Sequence, residues 1–462
     1  MDITIDQTNL HRALRFVGRA VATRATLPIL TSVLLQAEQD GVRLTGTDAE
    51  IGAVTTAAAQ VAAPGRVAVQ ARLFAEYVAQ LPAEPVRLTL DPAKPRLQVR
   101  CGRYTARFAT VDPEEFPPLP RVEGATALPL DARQLRDGLA RVALAAARDE
   151  SRPVLTAVCF KSTPDGLTLT AADGFRLARV RLVGVIAGSS AESRAPAAEE
   201  PTPDQPGAQG GQGAHGTPEA SANADILVPA RAAHEFVRLL GDGGGGAAVL
   251  YILPERRGVY LRAGEAALYA RLIEGTFPDV ERVIPRGGAC RVTVETGALR
   301  QAVGVAALFS GSMQGRPVRL DAGSDALRLT ARGDETGDAE SEIPAKVRGD
   351  PQAVSLSTPL LSDILGVADG QLALELNGPL SPVVVREVGR AENDDLWVVM
   401  PMHVAQAAEP TRPAARAAAT EPAAEPTPEA TPELAPQPVA STPADTPAPA
   451  VPAVPAVPEL AA

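Results

Sequence analysis

Two aspartates at equivalent places in the sequence are the first candidates for acid–base chemistry. Asp48 follows Leu-Thr-Gly-Thr, and Asp173 follows Leu-Thr-Ala-Ala. Paired carboxylates perform general acid–base catalysis when both reach one substrate. Because the two sequences repeat one another, they should form corresponding turns in separate domains, too far apart to act as a pair. We therefore expect a structural turn at each aspartate.

Cysteine, histidine and glycine patterns give no support for other catalytic chemistry. Cys101, Cys159 and Cys290 form no CxxC pair, and the four histidines stand singly without an HExxH motif. No Gly-Lys dipeptide occurs, so the phosphate-binding loop of ATP- and GTP-hydrolysing proteins is absent. Residues 241–246 (GDGGGG) fit a dinucleotide fingerprint, but they should follow a helix instead of a strand. We expect no enzyme activity, metal or cofactor.

Two segments differ from the rest of the chain in composition. Residues 187–224 have almost no branched apolar side chain, and residues 405–462 hold 14 of the 43 prolines. Both segments are predicted to be disordered. Residues 187–225 and 405–462 each carry a net charge of −5, so the remainder of the chain has −11 + 5 + 5 = −1. An arginine-rich body that is almost neutral can present a basic face to one partner.

The sequence begins without the pattern of a signal peptide. Asp2 and Asp6 stand where basic residues would be needed, and no run of 18 or more uncharged apolar residues occurs. We expect a soluble, cytoplasmic protein that makes no membrane contact.

A threefold repeat organises the remaining sequence. Stretches from Ile3, Leu128 and Val292 each read as a short strand followed by a helix with apolar residues on one face. In each stretch, a proline that should begin the next strand lies 18 positions after the first helical leucine: Leu10 to Pro28, Leu135 to Pro153, and Leu299 to Pro317.

The second half of each repeat contains another strand and helix, starting at Val67, Ile226 and Val354. Alternating strands lie between and after the helices. The fold class is therefore α+β, with three homologous domains that each contain two helices and curved antiparallel sheets. The predicted domains are 1–122, 123–290 with the insert 187–224, and 291–404, followed by the tail 405–462.

Arginines mark the polar faces of these helices. Arg12, Arg15 and Arg19 lie opposite the leucines of the first helix; Arg133, Arg136, Arg141 and Arg148 flank the second; the third has Arg300. A solvated helix face and a surface that meets nucleic acid both remain open. Since the 15 aromatic residues do not alternate with basic ones, nucleic acid would be bound through its phosphates with little base specificity.

Seven collinear motifs resemble the beta subunit of bacterial DNA polymerase III, the sliding clamp family. They are RATLPIL (24–30), LTGTD (44–48), EEFPPLP (114–120), AADGFRLA (171–178), ILVPAR (226–231), EGTFPDVERVIP (274–285) and VVMPM (398–402). The resemblance covers residues 1 to about 404 apart from the insert.

The resemblance implies a processivity factor. Two chains would join head to tail into a closed dimeric ring of six similar domains, with helices lining a hole around double-stranded DNA. Such a ring slides without sequence specificity and tethers its partners: the clamp loader complex, the DNA polymerase III alpha subunit, and other polymerases or repair proteins. It would be a non-catalytic subunit found in the cytoplasm at the nucleoid.

The resemblance also implies three groups of site residues. Arg24 and Arg72 match DNA-contacting positions; near Asp149 the sequence departs from the family pattern, so we assign that role to Arg148 and Arg152. Phe108 matches one side of the dimer interface, and Leu308 with Phe309 matches the other. The pocket that accepts partner peptides comprises Leu155, Gly174, Phe175, Arg176, Leu177, Pro278, Val283, Val398, Met400, Pro401 and Met402.

Two alternatives remain open. The first is a clamp paralogue specialised for repair or for resistance to a clamp-directed inhibitor. The second is a DNA-binding protein that uses the same domains without closing a ring.

Overall fold

The structure is a computed structural model that describes ten stretches of the chain. These are residues 1–25, 27–38, 41–90, 96–163, 166–183, 225–242, 246–310, 316–333, 337–389 and 395–402. The predicted disordered insert 187–224 and tail 405–462 lie outside the described residues. Met1–Ala405 form one compact unit. Within the described stretches, no helix is long and apolar enough to span a bilayer.

Each repeat has the predicted pair of helices. In the first repeat the elements are β1 (Asp2–Asp6), α1 (Gln7–Val17), β2 (Ser32–Glu38), β3 (Gly41–Thr47), β4 (Ile51–Ala57), β5 (Gln60–Ala63), β6 (Gly65–Gln70), α2 (Ala71–Gln80), β7 (Pro85–Leu90), β8 (Arg96–Cys101) and β9 (Tyr104–Val111).

The second repeat follows the same order. Its elements are β10 (Thr126–Asp131), α3 (Ala132–Ala143), β11 (Ala157–Thr163), β12 (Gly166–Ala172), β13 (Arg176–Val183), β14 (Ile226–Pro229), α4 (Ala230–Asp242), β15 (Ala247–Ile252), β16 (Gly258–Ala263) and β17 (Ala266–Arg271). Residues 241 and 242 end α4 and β15 starts at 247, so the glycine-rich segment does follow a helix.

The third repeat completes the series. Its elements are β18 (Cys290–Glu295), α5 (Thr296–Phe309), β19 (Pro317–Ala322), β20 (Ala326–Gly333), β21 (Gly337–Pro344), β22 (Lys346–Gly349), β23 (Ala353–Ser357), α6 (Thr358–Val367), β24 (Gln371–Leu376), β25 (Val383–Glu387) and β26 (Leu396–Val399).

The helices form where the apolar spacing predicts them. In α1, Leu10, Leu14 and Val17 are all buried on one face. The start of α3 is capped by Asp131, whose side chain accepts a hydrogen bond from the backbone N–H of Gln134 at 2.7 Å. α1 packs against α2, α3 against α4 and α5 against α6, and buried apolar residues join the helices to the sheets in one large core.

The prediction about the three repeated prolines is partly wrong. Pro317 does begin a strand, β19. Pro28 and Pro153 instead begin 3-10 turns, Pro28–Thr31 and Pro153–Thr156, which precede β2 and β11. Proline suits the first position of such a turn because its ring presets φ and its missing N–H needs no partner there.

Strand pairing continues from one repeat into the next. β17 of the second repeat pairs antiparallel with β4 of the first, from Ala266 opposite Thr55 to Ala270 opposite Ile51. β26 of the third repeat pairs in the same way with β13 of the second, with Arg176 opposite Val399. These pairings produce sheets of 13 and nine strands, beside a four-stranded sheet ordered β21-β20-β19-β23. The junctions between repeats are therefore built from backbone hydrogen bonds.

A buried ionic cluster connects the second and third repeats. Arg141 in α3 lies 3.3 Å from Glu387 and 3.7 Å from Asp395, and all three side chains are buried. The Trp397 indole donates a hydrogen bond to the Arg141 carbonyl at 3.1 Å, and the Asp369 backbone N–H donates to Glu387 at 3.1 Å. Arg141 therefore does not belong to an exposed basic face, contrary to the sequence-based expectation.

Replacing Arg141 should destabilise the protein far more than replacing an exposed arginine of the same helix. Arg141→Ala leaves two buried carboxylates without their cation, a loss of about 3–5 kcal/mol, which should lower the melting temperature by roughly 4–6 °C for a unit of this size. Arg133→Ala is the control, since its 4.0 Å pair with Asp137 is exposed. Differential scanning calorimetry measures the melting temperatures of both variants. Equal melting temperatures would contradict the role of Arg141 as the cation of a buried cluster.

Candidate functional site

Three of the four predicted DNA-contacting arginines lie in two equivalent loops. Arg24 is exposed in the loop between α1 and the Pro28 turn. Arg148 and Arg152 are exposed in the corresponding loop between α3 and the Pro153 turn. The guanidinium group is a permanent cation with a planar set of donors that suits phosphate. The two loops thus present arginines at corresponding places in successive repeats, although Asp149 and Glu150 balance the charge of Arg148 and Arg152 in the second loop.

Asp149 lies between the two arginines of the second loop but is held by a local turn. Its carboxylate accepts hydrogen bonds from the Ser151 N–H at 3.0 Å and the Ser151 hydroxyl at 2.7 Å. These bonds lower the pKa of Asp149 below its usual value, so the carboxylate is ionised at neutral pH. Asp149 therefore reduces the positive potential of this loop.

Arg72 has an anionic partner within its own helix. It is exposed in the first turn of α2, and its Nε donates to Glu76 at 2.9 Å, one helical turn further on. Both the hydrogen bond to Glu76 and the charge of Glu76 raise the pKa of Arg72. Any phosphate that binds Arg72 must compete with Glu76 for the same donors.

Another helical arginine has a structural role. Arg300 of α5 donates hydrogen bonds to the carbonyls of Leu365 and Ala368 at the end of α6. Carbonyls at a helix C-terminus lack intrahelical partners and favour a positive charge. Arg300 therefore caps α6 and is not part of a basic face.

Three predicted pocket residues are buried in one apolar cluster. Leu155, Leu177 and Val398 come from the Pro153 turn, β13 and β26, and they pack together with Phe277. The pairing of β13 with β26 brings Leu177 directly opposite Val398. This cluster lies at the junction between the second and third repeats.

Arg176 is held at the same junction by two carboxylates. Its buried side chain donates to Asp173 at 3.0 Å and to Asp363 of α6 at 2.6 Å. Because both acids already occupy its guanidinium group, Arg176 positions the surrounding backbone instead of offering a free cation. Asp363 was not among the residues predicted from the sequence to belong to this site.

The turn before Arg176 presents an aromatic side chain to solvent. Asp173 accepts hydrogen bonds from the backbone N–H groups of Phe175 at 2.8 Å and Arg176 at 2.9 Å. Gly174 has φ +90, a conformation that favours glycine. Phe175 follows it with 68% of its surface exposed.

The end of the described chain lies beside this turn. The Met400 N–H donates to the Phe175 carbonyl at 2.8 Å, and the Met402 N–H donates to the Ser355 carbonyl at 2.7 Å. Met400 is exposed, whereas Pro401 and Met402 are half-buried. We call the exposed surface of Phe175 and Met400 the apolar rim.

The other predicted pocket residues lie on the segment after β17. Pro278 and Val283 are both exposed, and Val283 ends the short turn Glu281–Val283. Arg179 of β13 donates to Glu281 at 2.5 Å and so ties this turn to the junction strand. Of the predicted pocket residues, Val283 is thus exposed on a turn at the surface, whereas Leu177 is buried in the apolar cluster.

The predicted interface residues differ in exposure. Phe108 in β9 is only 7% exposed, since its ring packs edge-on against Phe74 at 5.3 Å and Tyr77 at 5.5 Å between ring centres. It is thus not an exposed interface side chain. Phe309 is also partly buried against the core, whereas Leu308 is 74% exposed.

Among the strands whose edges are not fully covered by other described strands, β21 and β9 lie in the third and first repeats. β21 pairs only with β20. β9 pairs with β8 along Tyr104–Ala109, and β6 reaches only Thr110 and Val111 on its other side. Open edges carry unpaired backbone donors and acceptors that favour pairing with another strand.

The candidates for catalysis take structural roles. Asp48 accepts hydrogen bonds from the Glu50 and Ile51 N–H groups at 3.0 and 2.8 Å and pairs with Arg231 of α4 at 2.5 Å. The expected structural turn is present both there and at Asp173. Burial raises the pKa of Cys159 to about 12, which disfavours a reactive thiolate. In the described stretches, no three His, Cys, Asp or Glu residues group as a metal site.

Comparison with known proteins assigns all three repeats to one family. The family descriptions that match are the DNA polymerase III beta subunit N-terminal domain at residues 1–120, its central domain at 129–193 and its C-terminal domain at 281–403. Together they cover well over half of the chain. The predicted resemblance is therefore confirmed.

Curated relatives and solved structures agree with this result. The chain is 29% identical to a beta sliding clamp of Synechococcus elongatus and 28% identical to one of Pseudomonas putida, each alignment covering 87% of this chain and all of the relative. The DNA polymerase III beta subunit of Pseudomonas aeruginosa is 27% identical with a TM-score of 0.73 and the same coverage. A Bacillus subtilis DNA polymerase sliding clamp shares the fold, with a TM-score of 0.75 at 23% identity over 88% of this chain. The chain belongs to the DNA polymerase III beta subunit family.

Proposed function

We propose that this chain is a sliding clamp, a non-catalytic processivity factor of DNA polymerase III. Two chains would close head to tail around double-stranded DNA and tether replicative and repair proteins. One observation carries the proposal. The strand pairing that joins successive repeats occurs twice within the chain, and β9 of the first repeat and β21 of the third have edges available for a third such junction.

The internal junctions predict the register of the third. The strands β4, β13 and β21 occupy the same place in their repeats, because each pairs antiparallel with the strand that precedes it in the chain. The corresponding pairs of opposite residues are Thr47 with Gly52, Ala172 with Leu177, and Arg332 with Asp338. At the internal junctions, Gly52 lies opposite Tyr269 and Leu177 lies opposite Val398. Asp338 is the corresponding residue at the open edge.

The other strand of the third junction is β9. Its hairpin with β8 pairs Cys101 with Tyr104, as the β16–β17 hairpin pairs Ala263 with Ala266. Counting three residues from Ala266 gives Tyr269, and counting three from Tyr104 gives Arg107. The third junction would therefore place Arg107 of one chain opposite Asp338 of the other, a cross-strand pair of opposite charge.

Exposure at corresponding helical positions supports a third junction. Val305 in α5 is 39% exposed, whereas its counterparts Phe16 and Arg141 are buried at the internal junctions. Leu73 in α2 is 53% exposed, whereas Ala232 at the same position of α4 is fully buried. A second chain joined by the same geometry would cover Val305, Leu308 and Leu73, as apolar interface residues require.

DNA would be held mainly by enclosure within the ring. Arg24, Arg72, Arg148 and Arg152 are the proposed phosphate contacts, which need no base recognition. Weak contacts of this kind permit sliding, whereas topology prevents release. The proposed domains are 1–122, 123–290 and 291–404, followed by the tail 405–462.

Partner proteins would bind at the junction of the second and third domains. Leu155, Leu177 and Val398 form a buried apolar cluster there, and the side chains of Phe175 and Met400 are exposed beside that cluster. Peptides from the clamp loader, the DNA polymerase III alpha subunit and other polymerases or repair proteins are the proposed ligands. We place this function in the cytoplasm, at replication sites on the nucleoid.

Retention on nicked circular DNA tests the proposed function. The cognate loader and ATP should place the protein on the circle, where it should survive salt that abolishes simple phosphate binding. Cutting the circle should release it, because a ring slides off a free end. Equal retention on circular and linear DNA would contradict enclosure and favour a DNA-binding protein that does not close.

Changes in the Arg148 loop should alter the salt dependence of DNA binding. Arg148→Ala with Arg152→Ala should reduce the slope of log K against log salt by up to about 1.8, since each lost phosphate contact removes about 0.9. Asp149→Asn should strengthen binding by removing an ionised carboxylate. Fluorescence anisotropy with a short duplex measures these effects, and Arg121→Ala is the exposed control. An unchanged slope in the double variant would show that the loop does not contact phosphate.

A further inference from the structure

The exposed face of α4 carries three basic side chains in a row. Arg231, His234 and Arg238 are spaced by three and four residues, so they lie on one helical face, and all three are exposed. α4 packs against α3, and the loop after α3 carries Arg148. The charge of Arg148 acts on the His234 imidazole, so the row lies beside this loop. We call Arg231, His234 and Arg238 the α4 basic row.

The corresponding helices of the other two repeats have no such row. The aligned positions hold Arg72, Ala75 and Ala79 in α2, and Pro359, Ser362 and Gly366 in α6. A titratable group therefore stands at the middle position only in the second repeat. That repeat also contains the loop with two of the proposed phosphate contacts, Arg148 and Arg152.

Within the α4 basic row, His234 differs from its two neighbours in having no partner. Arg231 pairs with Asp48 at 2.5 Å, and Arg238 pairs with Glu235 at 2.6 Å. Over the stretches that the structure describes, the His234 imidazole makes no hydrogen bond and no ion pair. Its N–H is therefore available to a ligand.

The charges around His234 favour an anion at this position. Partial desolvation lowers the pKa of His234 below its usual value, the charges of Arg238 and Arg148 lower it as well, and Glu235 raises it. Two of these charged groups come from its own helix and one from the loop after α3. Glu235 does not balance both arginines, because its Oε1 accepts from Arg238 and its Oε2 is buried without a partner.

We propose that His234 binds a backbone phosphate of DNA beside the Arg148 loop, and that DNA binding is thereby coupled to protonation of its imidazole. The identity of the ligand rests on the proposed function. A phosphate supplies the negative charge that this cluster of cations lacks, and it stabilises an imidazolium next to it. By linkage, protonation raises the affinity for DNA by the same factor by which bound DNA raises the affinity for the proton.

The direction of the pH dependence follows from this coupling. Bound phosphate raises the pKa of His234 above its value in the free protein. The extra affinity is therefore fully present below the free-state pKa and is lost as the pH rises through the bound-state pKa. DNA affinity should fall about three- to tenfold from about pH 6 to about pH 8, the range in which histidine titrates. The slope of log K against log salt should be steeper by up to about 0.9 at the lower pH, as expected for one more phosphate contact.

Fluorescence anisotropy with a short rhodamine-labelled duplex, titrated with the full chain, measures these effects. His234→Gln removes the charge and should bind at about pH 6 as weakly as the native protein binds at about pH 8. His234→Arg supplies a permanent cation and should bind tightly at both pH values. His11→Gln, in α1 of the first repeat, is the histidine control and should keep the native pH dependence.

Two results would overturn the proposal. One is a native pH dependence in His234→Gln, and the other is equal affinity of the glutamine and arginine variants at about pH 8. Duplex titration requires neither the loader nor a closed ring, whereas retention on nicked circles reports enclosure. A pH dependence that disappears in His234→Gln, together with failed retention of the native chain, would support the phosphate contact and reject the clamp. The reverse pair of results would reject the contact and support the clamp.

Discussion

Backbone hydrogen bonding between strand edges determines how the three repeats are joined. A β-strand at the edge of a sheet carries donors and acceptors that need partners. The chain meets this need twice by joining the last strand of one repeat to an edge strand of the preceding repeat, β17 to β4 and β26 to β13. Side-chain contacts then secure each junction: Arg231 pairs with Asp48 at the first, and Arg176 pairs with Asp363 at the second.

The proposed peptide pocket is a consequence of the second junction. Leu177 and Val398 meet only because β13 pairs with β26, and Phe175 is presented by the turn that Asp173 and Arg176 stabilise. The buried cluster around Arg141 connects the same two repeats from the helical side. A peptide that binds at this junction therefore contacts a surface built by two domains with a fixed register.

The sequence was sufficient to predict the repeated elements but not the contacts between repeats. The spacing of Leu10, Leu14 and Val17 correctly predicted α1, because a local 3.6-residue period decides which face is buried. The burial of Arg141 was missed because its partner Glu387 is 246 residues away. Arg176 and Asp363 are 187 residues apart, and no local pattern reveals that they meet. Phe108 was assigned by resemblance, which could not show that Phe74 and Tyr77 cover its ring.

In the proposed dimer, a second chain completes a third junction with the register of the other two. Disulfide trapping of Arg107→Cys with Asp338→Cys tests it most directly, because opposite residues on paired strands have Cα atoms about 5 Å apart, within disulfide range. The proposed register predicts a covalent dimer on oxidation, and none from Arg107→Cys with Glu342→Cys, whose thiols would lie about 13 Å apart along the strand. A chain that stays monomeric with the first pair, or forms dimers equally with both, would contradict the proposed ring.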